Sequence, residues 1–220
     1  MTWPIGRLRS RRLRRLAGTD SFFSKCDRLV EVDMDGLDVA AVRQLLDRQA
    51  IWDCMTSYAR GMDRMDVECC KSAFHPDAWD DHGQVVMPGY ENAEFGAEYH
   101  RLRHRYSQHF LTNHRCEITG DEAHTETYFY FVGCMAQEGQ PAEVVGGRYV
   151  DRLERRDGQW KIADRLCLIE WGSSLAEVNF ASRLVDGAEM EDKRSSRSRD
   201  DASYMRPLQI RRERKLIPLG

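Results

Sequence analysis

Histidine and carboxylate side chains come together at several places in this 220-residue chain, and each grouping suggests its own chemistry. His82 closes the run Asp80-Asp81-His82 and, with His75, could supply carboxylate and imidazole ligands to a metal ion. Two acids beside one histidine in a turn are more simply read as a solvated loop. His100 and His104 have the i, i+4 spacing with which one helix face offers two ligands, but no third ligand stands convincingly beside them. They read as surface residues. His109 and His114 lie five apart in one strand-like run, hence with opposite parity, and either is a candidate base or an ordinary strand histidine. Asp63 follows a helical pattern, where an aspartate is unremarkable. Tyr58 falls in the apolar stripe of that helix, and Arg165 could pair with a carboxylate on an outer strand face.

Positioning these groups requires a scaffold, and its elements are legible. Val42, Leu45, Leu46, Ile51, Met55, Tyr58 and Met62 recur at three- and four-residue steps, which predicts one long amphipathic helix ending at Gly61–Met62. A second short helix is predicted over Asp66–Phe74, with Asp66 as its N-cap and His75-Pro76-Asp77 as its stop. Ala78–Asp81 and Gln84–Met87 flank His82-Gly83 as a short hairpin, and Asn92–His104 has helical spacing. Residues 107–118, 122–136, 143–156 and 159–171 are rich in β-branched and aromatic residues and are separated by turn chemistry. Helices followed by a long antiparallel meander indicate an α+β domain.

The hydrophobic fraction of 41% suits one globular domain, and no apolar run approaches the length of a membrane span. The seven cysteines (Cys26, Cys54, Cys69, Cys70, Cys116, Cys134, Cys167) match no zinc or disulfide pattern, so reduced thiols in a cytoplasmic protein are expected. Residues 1–17 carry six arginines and no acid, and residues 192–220 carry nine basic and four acidic side chains. Taking away +6 and +5 leaves −14 for the middle of a chain whose total is −3. The Arg-rich start lacks the apolar segment of a signal peptide. The domain is expected over 37–175, between a basic extension (1–36) and an irregular basic tail (176–220). These ends read as solvated, with neither nucleic acid nor membrane as partner.

The strings Asp47-Arg48-Gln49-Ala50-Ile51, Phe74-His75-Pro76-Asp77-Ala78, Gly147-Arg148-Tyr149 and Arg155-Arg156-Asp157-Gly158-Gln159-Trp160-Lys161-Ile162 together resemble the SnoaL-like (nuclear transport factor 2-like) superfamily over roughly residues 38–172. That resemblance implies a cone-shaped α+β barrel, a curved and mostly antiparallel sheet wrapped around N-terminal helices. The pattern is similar to the dehydratase and dehydrochlorinase branch, whose members use an Asp–His dyad in the mouth of the cone. Carried onto this chain, the dyad is Asp63 and His109, with Tyr58 five residues before Asp63 and Arg165 five after Trp160. A neutral imidazole removes a proton near pH 7, since its ordinary pKa is about 6.5. A carboxylate on its other nitrogen fixes the tautomer. Arg165 would meet developing negative charge, a service commonly worth about 3–4 kcal/mol of barrier, and Tyr58 would donate to a leaving hydroxyl or a carbonyl. The scheme needs no metal and no redox cofactor.

The function expected on this basis is a lyase acting by dehydratase-type elimination on an apolar cyclic or terpenoid-like substrate. A non-catalytic ligand-binding or accessory subunit is the alternative, and an isomerase or cyclase with the same base a further one. The resemblance also implies a homo-oligomer, trimer or dimer. Tyr128 and Tyr130 share one strand face, and Trp171 shares parity with Arg165; these three are the expected substrate-binding aromatics. If Arg165 faces the pocket, Trp171 should face it too.

Overall fold

The stripe from Val42 to Met62 folds as α1 (Val39–Arg64), but only its second half is inward. Ile51, Cys54, Met55, Tyr58 and Met62 are buried, while Leu45 and Leu46, expected in the stripe, are exposed where the first turns project beyond the sheet. The helix runs past the expected end at Gly61–Met62, so Asp63 belongs to its last turn. Met65 then takes a left-handed φ of 54°, and the Asp66 amide donates to the Gly61 carbonyl at 2.9 Å, which ends the helix. Asp66 caps α2 (Val67–Lys71) as expected, its carboxylate accepting from the Cys69 amide. A Cβ on Gly61 would lie 2.4 Å from the Cys70 nitrogen, so glycine is what lets α2 approach α1 this closely. α2 is shorter than expected, and His75-Pro76-Asp77 lies inside a strand, β1 (Phe74–Asp81). Pro76 has no amide hydrogen to give, and the pairing of β1 with its neighbour is irregular between Phe74 and Trp79.

β2 (Val86–Pro88) completes the hairpin and α3 (Gly89–Arg103) follows. The meander is β3 (His104–Thr119), β4 (Glu122–Met135), β5 (Ala142–Arg156) and β6 (Gln159–Leu175). The six strands form one open, curved sheet in the order β2-β1-β6-β5-β4-β3, antiparallel except between β1 and β6. Phe74, Phe129, Tyr149, Leu153 and Ile162 of the sheet form one buried cluster with Ile51 and Met55 of α1. The fold is therefore α+β, a curved sheet around helices. Asp47 of α1 accepts from Trp160 Nε1 and Arg155 Nη1, both at 2.9 Å, and so ties the first helix to the last hairpin. No described helix is long and apolar enough to cross a membrane.

This computed structural model describes residues 37–176 and 195–209, and the chain divides into two units, Met1–Asp38 and Val39–Gly220. The basic extension 1–36, with Cys26, lies outside the described residues, as do 177–194 and 210–220. Residues 195–209, read from sequence as irregular, hold a 3-10 turn at Ala202–Tyr204 and bond to the helix ends. Arg197 Nη1 donates to the carbonyls of His100 (3.1 Å) and His104 (2.6 Å) where α3 stops, adding to the bond that the His100 carbonyl accepts from the His104 amide. Tyr204 and Arg199 both donate to Asp66, at 2.8 and 3.0 Å. No apolar periodicity announced this segment, because it is held by polar groups. Arg197→Met is expected to lower unfolding free energy by about 1.5–3 kcal/mol, the usual range for a charged hydrogen-bond donor. Urea denaturation checks it; an unshifted midpoint would mean that water satisfies the end of α3 equally well.

Candidate active site

A cavity of about 710 Å³ lies between α1, α3, the β1–β2 turn and the inner face of the sheet. Phe95 and Tyr99 come to it from α3, Phe129 and Phe131 from β4, Val145 from β5 and Ile169 from β6. Its polar groups include Tyr58, His82, His100, His109 and Glu143. The faces of β4 explain the aromatic wall: Phe129 and Phe131 are 4% and 7% exposed, while Tyr128 and Tyr130 on the other side are 39% and 47% exposed.

Asp63 and His109 are brought together. The two carboxylate oxygens accept the backbone N–H of His109 at 2.9 and 3.1 Å, and Oδ1 lies 2.7 Å from the ring Nδ1. An ionised carboxylate only accepts, so Nδ1 carries the hydrogen and Nε2 is left as the basic nitrogen. β3 presents His109 inward because it pairs with Phe131 on β4, and the two rings lie 4.9 Å apart. Asp63 itself borders a shallower depression of about 380 Å³ between α1 and β3, which also touches His109. The imidazole thus stands between the carboxylate and the main cavity.

Tyr58 is buried and lines the cavity, its hydroxyl 3.5 Å from His82 Nε2. Burial pushes its phenol well above the ordinary value. Arg165 does not reach the cavity. Asp151 is its register partner on β5 and captures the guanidinium at 2.7 and 3.1 Å, with both side chains fully buried. That guanidinium lies 4.2 Å from the ring centres of Tyr58 and Tyr149, beneath the cavity floor. Its expected contact with developing charge is therefore corrected to a contact with two aromatic rings.

Tyr128, Tyr130 and Trp171 are not brought to the cavity either; they stand on the outer face of the sheet. Trp171 fails the parity expectation because β6 carries an extra residue: Gly147 pairs with Ile169, but Gly146 with Trp171. Ile169 keeps the inward parity of Arg165 and Cys167, and the bulge after it turns Trp171 outward, beside Tyr130 at 5.4 Å. A Cβ on Gly147 would lie 2.1 Å from the Leu168 carbonyl oxygen, so the bulge depends on glycine there.

The other histidines sort by partner. A register shift between Leu111 and His114 sets His114 against Trp52, with Nδ1 2.8 Å from the Thr127 hydroxyl, away from the cavity. His75 is buried with Nε2 2.9 Å from the Glu154 carbonyl oxygen. His100 and His104 are not surface residues: His104 is buried against Glu143, and burial, then His109 and His104, push His100 down to about 2. Among the described residues no cluster of three or more His, Cys, Asp or Glu side chains is placed to share a metal ion.

Sequence reasoning weighed Asp80 and His82 only as metal ligands and set them aside as a solvated loop. Asp80 is fully buried, His82 Nδ1 lies 2.8 Å from its Oδ1, and Asn92 Nδ2 donates to its Oδ2 at 2.8 Å. The available signal was parity: residues two apart on a strand share a face, so the acid could stand behind the imidazole. His82 was read as a loop residue because a turn follows it.

The family model described as a SnoaL-like domain matches residues 43–166. The chain is 31% identical over 144 residues to terrestric acid biosynthesis cluster protein E of Penicillium crustosum, covering 62% of this chain and 91% of that one. Among solved structures, hexachlorocyclohexane dehydrochlorinase LinA-type3 from Novosphingobium barchaimii superposes with a TM-score of 0.57 at 24% identity, over 64% of this chain and 97% of that one. A protein of Novosphingobium aromaticivorans assigned as a scytalone dehydratase gives 0.56 at 19% identity, over 63% and 93%.

Proposed function

The chain belongs to the SnoaL-like family, and from that footing we propose that it is a lyase carrying out dehydratase-type elimination on an apolar cyclic or terpenoid-like alcohol. One observation carries the reading. Asp63 holds Nδ1 of His109 at 2.7 Å while the ring borders a cavity walled largely by aromatic and aliphatic side chains. His109 Nε2 takes a proton from carbon, and Asp63 stabilises the imidazolium that results. The aromatic walls favour a ring-bearing substrate and keep water from the carbanionic centre. The scheme calls on no cofactor. A protein that only bound ligand would need no carboxylate behind the imidazole, and an isomerase or cyclase would use the same base with a different proton destination. Self-association belongs to the same reading, supported by the outer-face row of Phe110, Tyr130 and Trp171, exposed by 49%, 47% and 42%.

Turnover of cyclic alcohols that carry an activating carbonyl tests the proposal, with alkene formation followed by absorbance. Asp63→Asn is expected to cut it by about 10²–10⁴-fold, because an amide can present its N–H to Nδ1 and so stabilise the wrong tautomer. Circular dichroism and urea unfolding check that the fold persists. Ligand binding without any conversion by the unaltered protein would favour the binding-module reading instead.

A further inference from the structure

A dehydration needs two proton transfers, one from carbon and one to the departing oxygen, and Asp63–His109 accounts for the first alone. Arg165 lies beneath the floor and keeps its protons at any working pH. Tyr58 reaches the cavity, but burial makes its phenol a still weaker acid than usual. Among the other lining groups, burial raises the Tyr149 phenol as well and pushes His100 down to about 2, and despite its burial Glu143 is held low by His104 and Arg103. That leaves the second carboxylate–imidazole pair as the donor.

His82 follows β1 directly, lines the cavity, and has the buried Asp80 carboxylate 2.8 Å from Nδ1. Its other nitrogen, Nε2, is 3.5 Å from the Tyr58 hydroxyl. Tyr58 lies edge-on to His109 with ring centres 6.4 Å apart, so it stands between the two imidazoles. The charge balance of the buried layer points the same way. Asp80, Asp151 and Arg165 are each fully buried or nearly so, and Arg165 is committed to Asp151. Asp80 also pairs in register with Arg165 across β1 and β6, so two buried carboxylates share one guanidinium, and the layer keeps a net negative charge unless His82 is an imidazolium. The groups that face His82 are Tyr58 from α1, His100 from α3, Tyr149 and Asp151 from β5 and Cys167 from β6, besides Asp80 at the end of β1. Burial disfavours the charge, yet Asp80 and then Cys167 outweigh it and raise the pKa of His82 to about 10.

We propose that His82 is the general acid of the reaction, giving its Nε2 proton to the departing hydroxyl across the cavity from His109. The assignment rests on the lyase reading above. In the step, His109 takes the proton from carbon and the C–H electron pair becomes the second bond of the alkene. The C–O bond breaks with its pair going to oxygen, and the His82 proton converts that oxygen to water. His82 is left neutral and His109 charged; one proton lost by His109 to solvent and one gained by His82 restore both.

Two measurements test this on the full-length protein, its His82→Gln variant and a His82→Gln/Asp80→Asn double variant that strands no buried carboxylate. The first follows the absorbance of 4-nitrophenol through a pH titration. The unaltered protein should bind the anion in preference to the phenol, His109→Gln should keep that preference, and both His82 variants should lose it. The second compares a cyclic 3-hydroxy ketone with its 3-(4-nitrophenoxy) counterpart, whose leaving group needs no proton. Loss of His82 should slow the hydroxy compound by about 10²–10⁴-fold and the aryloxy compound by less than about tenfold. Equal losses on both, or an anion preference that survives without His82, overturn the acid role and spare the lyase reading. Anion binding with turnover of neither compound by the unaltered protein overturns both together.

Discussion

His109→Gln is expected to lower elimination by about 10²–10⁴-fold, the contribution usual for a positioned general base, with the protein still folded. Glutamine has no nitrogen lone pair able to take a proton from carbon, so the loss should fall on kcat far more than on KM. The fold should survive because the contact between α1 and β3 is made partly by the backbone. Both Asp63 oxygens accept the amide of residue 109 whatever side chain follows. The face of Asp63 that loses its imidazole partner borders an open depression and can be hydrated. Steady-state rates on the alcohol panel, with circular dichroism of both proteins, check the result. Unchanged rates in a folded variant would remove His109 as the base and retire the dyad.

The largest effect on stability is expected from Asp151→Ala. Both oxygens of this carboxylate bond to Arg165, and both side chains are fully buried. Removing the acid strips the guanidinium of both its carboxylate hydrogen bonds. It is left the sulfur of Met55, the rings of Tyr58, Tyr149 and Phe74, and across the β1–β6 pairing only Asp80, which Asn92 and His82 already engage. Breaking a buried pair in this way typically costs about 3–5 kcal/mol, or roughly 6–20 °C in Tm for a domain of this size. The double variant Asp151→Leu/Arg165→Met should recover most of that loss, since a well-packed apolar pair avoids the desolvation penalty. Calorimetry on the single and double variants separates the two cases. A double variant no more stable than the single one would mean that the pair is needed to order Tyr58 and Tyr149, and that packing alone does not replace it.

The fold was legible where it depends on local periodicity. The three- and four-residue steps of Ile51, Met55, Tyr58 and Met62 do mark the buried face of α1. Turn residues divide β3 from β4 and β5 from β6 within a few positions of the observed ends. The strings that carried the family resemblance hold the scaffold together: Asp47 and Trp160 bond to each other across more than a hundred residues. Boundaries were less legible. Asp63 lies inside α1 because the helix ends only when Met65 turns left-handed, and no residue type enforces that locally. The attachment of residues 195–209 was invisible because it consists of polar bonds to carbonyl groups and carboxylates.

What the sequence determined by itself was the order of elements, the inward stripe of the first helix from Ile51 onward and, through resemblance, which aspartate and histidine should meet. Which strand faces line the cavity was decided only by tertiary structure. Alternation is a local rule, and on β4 both Phe129–Phe131 and Tyr128–Tyr130 satisfy it, so burial had to choose between them. One extra residue near Ile169 reversed the side taken by Trp171, and a bulge is a property of two paired strands. Arg165 was claimed by Asp151 and His82 by Asp80 for a related reason. An ionisable side chain takes the nearest opposite charge that burial shares with it, and that neighbour is known only once strands and helices have packed.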